Sequence, residues 1–328
     1  MPQRDPARTT VVVTGASGNI GTALLHRLAT DPQVGEIRAV ARRISQEDLG
    51  PKVRWFALDV VDDDLSRAFD GADVVVHLAW RIQPSWDVES MRAVNIQGSA
   101  RVFDAAVEAG AAIVHASSVG AYGPGTKDRL VDESWPVSGH PDHPYSLHKA
   151  EVEGLLDEVE HQHPEVRVVR MRPALVMQSG AGEELRKYFL PRHLPFGALR
   201  GSVIRRVPVR FQVVHADDVA DAFARAALGD ARGPFNVAST HVVGGHQLGV
   251  LEPILRPLAA VTWRLHAQPV DPGWVTLIFR CPLLDASRAR RELGWAPAWS
   301  GPDALEAGLR GIQRPPEPRT PALRGEPA

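Results

Sequence analysis

The stretch VVVTGASGNIG, residues 11–21, decides the fold, because it joins an apolar strand to a helix through three glycines. Glycine permits a tight turn and a close approach of the backbone to a pyrophosphate. The amides and the dipole at the start of the helix favour the negative charge of that group. The stretch therefore predicts a bound dinucleotide. The predicted contacts are the three glycines and the two residues between the last two of them: Gly15, Gly18, Asn19, Ile20 and Gly21.

The same alternation of strand and helix continues beyond this stretch. Short β-branched runs such as EIRAVA, VRWFAL, ADVVVHLA, AAIVHAS and EVRVVRM are separated by amphipathic helical segments, among them 19–30, 62–69 and 86–109. Strands that are apolar almost throughout are typical of a parallel sheet buried on both faces. We therefore predict an α/β protein with a doubly wound parallel sheet, the Rossmann fold.

The rhythm weakens after about residue 176, where Gly, Pro and Arg become frequent, and it returns later in the chain. A region of this kind usually covers a ligand site, so we predict a smaller, discontinuous substrate lid. The predicted divisions are a Rossmann domain at 9–176 that returns at 212–239 and 285–295, a lid at 177–211 and 240–284, a terminal helix at 296–312, and flexible tails at 1–8 and 313–328.

Composition favours a small-molecule partner. The 328 residues include 44% hydrophobic residues, enough for a sizeable core, and 37 basic residues against 39 acidic ones. Near neutrality gives no reason to expect binding to nucleic acid or to a membrane surface. Cys281 has no partner for an internal disulfide, residues 1–9 lack the apolar core of a signal peptide, and no apolar run approaches the ~20 residues of a membrane span. We therefore expect a cytoplasmic protein.

The end of the second predicted strand bears on the choice of dinucleotide. Arg42 and Arg43 stand where a cofactor with a free ribose hydroxyl commonly meets Asp or Glu. Two guanidinium groups suit a 2′-phosphate, so the sequence favours NADP over NAD, although a solvated arginine pair would look the same. Asp59, at the end of the third strand, could accept a hydrogen bond from the adenine amino group.

The stretch PYSLHKAEVE, residues 144–153, places a phenol and an amine four positions apart on a predicted helix. Residues with that spacing lie on one face, so Tyr145 and Lys149 can approach the same ligand. A free phenol, with a pKa near ~10, transfers protons poorly at neutral pH, but a nearby ammonium would lower that pKa. Ser117 and Ser118 end the fifth strand, at the edge where ligands bind in open α/β sheets.

Together these features resemble the short-chain dehydrogenase/reductase superfamily in its extended form, often called the NAD-dependent epimerase/dehydratase family. The resemblance covers roughly residues 9–312. It is carried by TGASGNIG, LDV, VVHLAW, VNIQGS, ASSVGAYG, YSLHKAEVE, RP, VVHADDVADA, FNVAS and ARRELGW.

The resemblance implies a role for each residue of the motifs. Ser118 would hold and polarise the reacting oxygen, Tyr145 would transfer the proton, and Lys149 would bind the nicotinamide ribose while lowering the pKa of the phenol. A homodimer through helices 86–109 and 144–162 is also implied. The further cofactor contacts that the resemblance implies are Val60, Leu78, Ala79, Asn95, Pro173 and Ala174.

Two departures from the family pattern narrow the reaction. Val119 and Gly120 stand where dehydratases often carry an acidic pair, which disfavours dehydration. Phe211 stands where many nucleotide-sugar epimerases have an arginine for the substrate phosphate, and Arg210 is one residue out of register. In a strand, one residue turns the side chain to the opposite face. A nucleotide-sugar substrate is therefore not favoured.

Two groups of residues leave alternatives open. Basic residues of the lid could bind an anion or form a solvated surface: Arg186, Lys187, Arg192, His193, Arg200, Arg205 and Arg206. His140 and His143 precede Tyr145 and could contact the substrate or only shape the entry to the helix. The spacing of the histidines, with no cysteine near them, predicts no metal site.

These observations predict an NAD(P)-dependent carbonyl reductase or alcohol dehydrogenase that uses Ser118, Tyr145 and Lys149. The alternative is an epimerase of a sugar or nucleotide-sugar, which would use the same three residues for a transient oxidation. A non-catalytic regulator that senses NADP is the third hypothesis. It is disfavoured because the chain keeps both Tyr145 and Lys149.

Overall fold

A computed structural model describes residues 8–82, 86–141, 143–189, 208–245, 249–267 and 270–314. The predicted tails, apart from residues 8, 313 and 314, lie outside the described residues. So do the predicted lid residues Arg192, His193, Arg200, Arg205 and Arg206.

The described residues form twelve strands in three sheets. The strands are β1 (Thr9–Thr14), β2 (Val34–Ala41), β3 (Val53–Ala57), β4 (Val74–His77), β5 (Ala112–Ala116), β6 (Leu130–Val131), β7 (Val168–Pro173), β8 (Leu175–Met177), β9 (Phe211–His215), β10 (Gly233–Val237), β11 (Val242–Val243) and β12 (Leu283–Leu284).

Eleven α-helices connect and cover these strands. They are α1 (Asn19–Ala29), α2 (Ser66–Phe69), α3 (Val88–Arg92), α4 (Gly98–Glu108), α5 (Pro144–Gln162), α6 (Gly182–Phe189), α7 (Ala216–Leu228), α8 (Glu252–Arg264), α9 (Pro272–Arg280), α10 (Ser287–Glu292) and α11 (Gly301–Gln313).

The main sheet has seven parallel strands in the order β10-β7-β5-β4-β1-β2-β3. Neighbouring residues of β1 belong to two separate cores, because successive side chains of a strand point to opposite faces. Val11 and Val13 pack with residues of α1 and α7, whereas Val12 packs with residues of α4 and α5. The doubly wound parallel sheet predicted from the sequence is confirmed.

Two smaller sheets extend the main one towards the lid. β8 pairs in parallel with β9, β9 pairs in antiparallel fashion with β11, and β12 pairs with β6. The terminal helix α11 closes this region, since its buried Leu305 and Leu309 pack with Met177 and Val213. Helices α8 and α9 lie in the second predicted lid segment, 240–284, together with β11 and β12.

Two predicted helices differ from the structure in their bounds. The helix predicted at 86–109 is divided into α3, a π-helical turn at Ala93–Gln97, and α4. The helix predicted at 62–69 is only Ser66–Phe69, because carboxylates of the preceding acidic run bind backbone amides instead. The π-helical turn at Ala93–Gln97 is of a kind that is frequent at functional sites.

Across the described ranges, every helix is too short or too polar to cross a lipid bilayer.

Candidate active site

The glycine loop between β1 and α1 has the shape that a dinucleotide requires. Gly15 has φ +67°, and a Cβ atom there would lie 2.6 Å from the amide nitrogen of Ala79. A Cβ on Gly21 would lie 2.4 Å from the carbonyl oxygen of Gly15. A Cβ on Gly18 would lie 3.4 Å from its nearest neighbour, the carbonyl oxygen of Gly15, so the backbone of Gly18 is left open to a ligand. The loop therefore fits a pyrophosphate cradled against bare backbone.

Asn19 and Ile20 begin α1 beside this loop, and Asn19 also ties the loop to the lid. The side-chain amide of Gln178, just beyond β8, donates to the carbonyl oxygen of Asn19 at 2.7 Å and to its side-chain oxygen at 2.7 Å. The first turn of α1 is thus held from the lid side as well as from the sheet.

The predicted adenosine end of the groove gathers charged side chains. Arg42 and Arg43 follow β2, and the Arg42 Nε lies 3.8 Å from a carboxylate oxygen of Asp59. The other carboxylate oxygen of Asp59 accepts from the amide of Val61 at 2.9 Å, and Val60 between them is buried. An arginine pair beside one carboxylate can bind a ribose phosphate or remain paired with that carboxylate.

Helix α6 reaches this same end, which the sequence did not indicate. Burial raises the pKa of Tyr188, and the charges of Arg42 and Arg43 are close enough to lower it again. Tyr188 is hydrogen-bonded to Glu184, whose pKa burial raises to about 7. The exposed Arg186 and Lys187 lie on the same helix.

The segment after β4 is fixed by Asn95. Its side-chain oxygen accepts from the amide of Arg81 at 2.7 Å, and its nitrogen donates to the carbonyl oxygen of Arg81 at 2.9 Å. Asn95 is fully buried in the π-helical turn. Leu78 and Ala79 lie in the segment that it holds, directly against Gly15. Asn95 therefore positions the predicted cofactor path by binding the backbone.

Pro173 and Ala174 lie at the carboxyl end of β7, beside β5. Both are buried, and the amide of Ala174 donates to the carbonyl oxygen of Val237 at 2.9 Å. The carboxyl ends of β1, β4, β5 and β7 thus bring the glycine loop and the predicted nicotinamide contacts to one edge of the sheet.

Ser118 and Tyr145 meet at that edge. Ser118 follows β5, Tyr145 lies in the first turn of α5, and the two side chains converge on Gly120, where an added Cβ would lie 3.4 Å from the Ser118 Oγ. The Ser118 Oγ also accepts from the amide of Gly120 at 3.0 Å. A Cβ on Gly120 would lie 2.9 Å from the phenol ring, so the missing side chain at that position makes room for Tyr145.

Lys149 lies one turn further along α5 and is almost completely buried. Its ammonium donates to the carbonyl oxygen of Ala116 at 2.6 Å and lies 3.3 Å from the centre of the Trp80 ring. Only 4% of the residue is exposed, and this burial holds the pKa of Lys149 well below its usual range. The negative charge of Glu153 acts in the opposite direction.

The pKa values differ from the expectation that Lys149 lowers the pKa of the phenol. Burial raises the pKa of Tyr145 to about 12 and the neighbouring Ser118 hydroxyl acts in the opposite direction, whereas Lys149 is not among the groups that shift it. The physical reason is the order of ionisation: a buried lysine with a lowered pKa is already neutral at the pH where this phenol would ionise. The predicted assistance needs an environment that keeps Lys149 charged.

Glu153 is the carboxylate that the sequence analysis missed. It is 3% exposed, accepts from the Arg172 Nε at 2.8 Å, and accepts from the hydroxyl of Ser117. Ser117 joins Ala116 to Ser118, so one buried carboxylate holds the strand end that carries both the acceptor for Lys149 and the catalytic serine candidate. The spacing of four between Lys149 and Glu153 was the signal available in the sequence.

An apolar cover encloses Tyr145. The ring of Trp274 on α9 stacks on it at 5.2 Å between ring centres, and Trp80 meets it edge-on at 6.3 Å. Leu277 and Cys281 complete the cluster. Burial raises the pKa of the Cys281 thiol to about 11, so at neutral pH it is an apolar wall and not a nucleophile.

Arg210 and Phe211 lie apart, as the sequence register predicts. Arg210 donates to the carbonyl oxygen of Lys127 at 2.6 Å, whereas Phe211 packs with Met177 and its neighbours in a separate cluster.

In the part of the chain that the structure describes, no group of three or more His, Cys, Asp or Glu side chains is arranged to hold a metal ion.

The Glu153–Arg172 pair generates a stability prediction. Glu153→Gln leaves a buried guanidinium without its carboxylate, and breaking such a pair should lower the free energy of unfolding by about 3–5 kcal/mol. Glu151→Gln, on the same helix as Glu153, is the matched control. It breaks an exposed pair with Arg92 of α3 and should lower the free energy of unfolding by no more than about 1 kcal/mol. Denaturant unfolding followed by circular dichroism measures both. Equal losses would contradict the supporting role of Glu153.

Comparison with known proteins identifies the family of this site. A family model described as NAD dependent epimerase/dehydratase family matches residues 11–238. The chain is similar to an uncharacterized protein of Mycobacterium tuberculosis, with 26% identity over 300 residues that cover 90% of this chain and 29% of the relative. The chain therefore spans under a third of the length of that relative.

Other similar proteins have named activities. L-arabinose 1-dehydrogenase (NAD(P)(+)) of Haloferax volcanii is 40% identical over 100 residues, which cover 30% of this chain and 36% of that protein. A Thermus thermophilus UDP-glucose 4-epimerase crystallised with NAD has the same fold, with a TM-score of 0.64 and 21% identity over 93% of this chain and 99% of that one.

The resemblance stated from the sequence is confirmed. The family consists of NAD(P)-dependent enzymes of the extended short-chain dehydrogenase/reductase type. Because the family model matches well over half of the sequence, the chain belongs to the NAD dependent epimerase/dehydratase family.

Proposed function

We propose that the chain binds a nicotinamide adenine dinucleotide along the glycine loop and interconverts a secondary alcohol and its ketone. The observation that carries the proposal is the convergence of Ser118 and Tyr145 on Gly120, at the edge of the sheet where the loop opens: a Cβ there would lie 2.9 Å from the phenol ring and 3.4 Å from the Ser118 Oγ. A serine hydroxyl and a phenol that lie side by side can both bind the oxygen of a single substrate.

The protein residues divide the work as follows. Ser118 donates to the reacting oxygen and orients it. Tyr145 takes the proton of the alcohol during oxidation and returns it during reduction. Lys149 assists only in its charged form, whose positive charge stabilises the phenolate that takes the proton. When bound, the dinucleotide accepts or supplies the hydride.

The cover over Tyr145 serves the same step. Trp274, Leu277 and Cys281 keep water away from the phenol, which strengthens the electrostatic effect of a nearby charge. Val119 and Gly120 offer no carboxylate for the removal of a second proton. The site is therefore suited to oxidation and reduction and not to the loss of water.

Epimerisation by transient oxidation is the overall reaction that we favour, with a sugar as the substrate. Epimerases and a dehydratase of nucleotide sugars, crystallised with NAD, share the fold. A sugar that carries a nucleotide is less favoured as the substrate. Phe211 stands where many nucleotide-sugar epimerases have an arginine for the phosphate, and Arg210 binds the carbonyl oxygen of Lys127 instead. Net dehydrogenation is the second candidate, supported by the local likeness to L-arabinose 1-dehydrogenase.

For the cofactor we propose NADP with NAD as the weaker ligand. Arg42 and Arg43 lie together at the end of β2, and the Arg42 side chain is 44% exposed, which leaves it accessible to a phosphate. The names of the similar proteins point to NAD or to both cofactors, so the arginine pair is the argument for NADP. A sensor without catalysis remains disfavoured, because Ser118, Tyr145 and Lys149 are assembled in one place.

Tyr145→Phe tests the proton route. The variant should lower kcat by about 10²- to 10⁴-fold, because it removes the group that transfers the proton, while the dissociation constant of NADP changes by no more than about twofold. A panel of sugars and secondary alcohols, followed by nicotinamide absorbance and by proton NMR of the products, detects both net oxidation and epimerisation. Turnover as fast as in the parent would refute the role of Tyr145.

Arg42→Ala combined with Arg43→Ala tests the choice of cofactor. Loss of two charged hydrogen-bond donors should weaken NADPH binding by about tenfold to hundredfold and leave NADH binding within about twofold. Isothermal titration calorimetry with each nucleotide measures the effect. A parallel loss for NADH and NADPH would mean that the arginines do not contact the 2′-phosphate.

A further inference from the structure

Helix α8 presents an apolar face to solvent. Ile254, Leu258 and Val261 on the helix and Leu265 directly after it follow one another at intervals of four, three and four residues, which places them on one side. These four residues, here called the α8 face, are between 55% and 72% exposed. Single exposed leucines are ordinary on a protein surface, whereas a contiguous apolar row is typical of a site that binds a protein or a membrane.

The helix that carries the α8 face is held at both ends. Glu252, in its first turn, accepts from the Arg280 Nε at 2.9 Å. At the other end, the amide of Ala267 donates to the carbonyl oxygen of Thr262 at 2.9 Å, which closes the last turn. None of the residues Glu252–Arg264, all of them described, is buried. The apolar side chains of the α8 face are therefore not used in the packed core of the described residues.

Exposed apolar side chains of neighbouring elements border the α8 face. Trp86 is 47% exposed, and its ring lies 5.3 Å from the ring of His266, the residue that follows Leu265. Ile278, on the helix α9 that packs against α8, is 49% exposed. Tryptophan combines an apolar ring with one N–H donor and is enriched at the boundary between lipid and water. The surroundings of the α8 face thus suit that boundary.

The charge around the α8 face is positive. Residues 253–267 include two exposed arginines, Arg256 and Arg264, and no acidic residue. The Glu252 side chain is only 12% exposed and is bound to Arg280, whose side chain is 56% exposed. A second copy of the chain would bring these like charges together, which opposes pairing through this face. An anionic lipid surface attracts the arginines and also accepts the apolar side chains.

We propose that the α8 face docks the chain on a lipid bilayer that carries anionic headgroups. Helix α8 has 13 residues and, at about 1.5 Å per residue, runs roughly 20 Å along the surface. The apolar row enters the boundary between headgroups and acyl chains, and Arg256 and Arg264 stay among the phosphates. The near-neutral charge of the whole chain does not predict this docking, because the attraction acts over only about 8–10 Å in moderate salt.

Co-sedimentation of the full chain with sucrose-filled vesicles tests the docking. One set of vesicles contains phosphatidylcholine alone, and the other contains equal amounts of phosphatidylcholine and phosphatidylglycerol. In about 0.1 M NaCl we expect the partition coefficient to be at least about tenfold higher for the anionic vesicles, because each arginine near such a surface adds to the attraction. Raising NaCl to about 1 M should remove most of this difference, since salt shortens the range of the attraction.

Substitutions on α8 separate docking from unspecific adhesion. Leu258→Gln with Val261→Gln should lower the partition coefficient on anionic vesicles at least about tenfold, because two aliphatic side chains no longer leave water. Arg256→Gln with Arg264→Gln should lower it about tenfold on anionic vesicles only. Leu130→Gln is the matched control, because Leu130 is 50% exposed on β6, outside the α8 face, and this variant should bind within about twofold of the parent. Circular dichroism shows whether each variant is folded.

Two results would overturn the lipid docking directly: equal partition to the two kinds of vesicle, or partition that Leu258→Gln with Val261→Gln leaves unchanged. Sedimentation equilibrium without vesicles tests the competing occupant. A dimer formed by the parent and not by that double variant would assign the α8 face to a second copy and overturn the proposal as well. None of these measurements involves the dinucleotide or turnover, so their outcome is independent of the proposed function.

Discussion

The buried charge of Lys149 is the constraint on which the site depends. An ammonium taken out of water loses its proton easily unless other groups favour the charged form. Here the carbonyl oxygen of Ala116, the face of the Trp80 ring and the negative charge of Glu153 oppose that loss. Glu153 is held in turn by Arg172 and Ser117. The residues behind the catalytic candidates therefore decide whether Lys149 can assist Tyr145.

Close backbone contacts set the rest of the geometry. Gly15 lies against Ala79 and Gly21 against Gly15, so the loop, the first helix and the segment after β4 form one rigid edge. Gly120 admits the ring of Tyr145 and at the same time withholds the side chain that a dehydratase would use there. A single small residue thus links the packing of the phenol to the type of reaction that the site supports.

The parts of the site that could be predicted from the sequence are those fixed by local pattern. Alternating apolar runs and helices predict the parallel sheet. Because ligands bind at the carboxyl ends of the strands in such sheets, the sequence also predicts that Ser118, Tyr145 and the glycine loop lie together. The contacts that could not be predicted join distant residues, such as Asp271 to His143 and Trp80 to Lys149. No short spacing encodes them, because they arise only when the lid and the sheet edge pack. The homodimer, the cytoplasmic location and the domain divisions stay predictions.

Titration of the tyrosines with and without NADP⁺ measures whether positive charge in the site stabilises the phenolate of Tyr145. The chain has three tyrosines and burial raises the pKa of each, so the difference between the parent and Tyr145→Phe identifies the phenolate absorbance that belongs to Tyr145. We predict that the pyridinium charge of NADP⁺ moves the Tyr145 absorbance to lower pH by at least about one unit, because a positive charge beside a phenol favours its phenolate form. The shift should vanish in Tyr145→Phe. An unchanged titration on saturation with NADP⁺ would contradict the account.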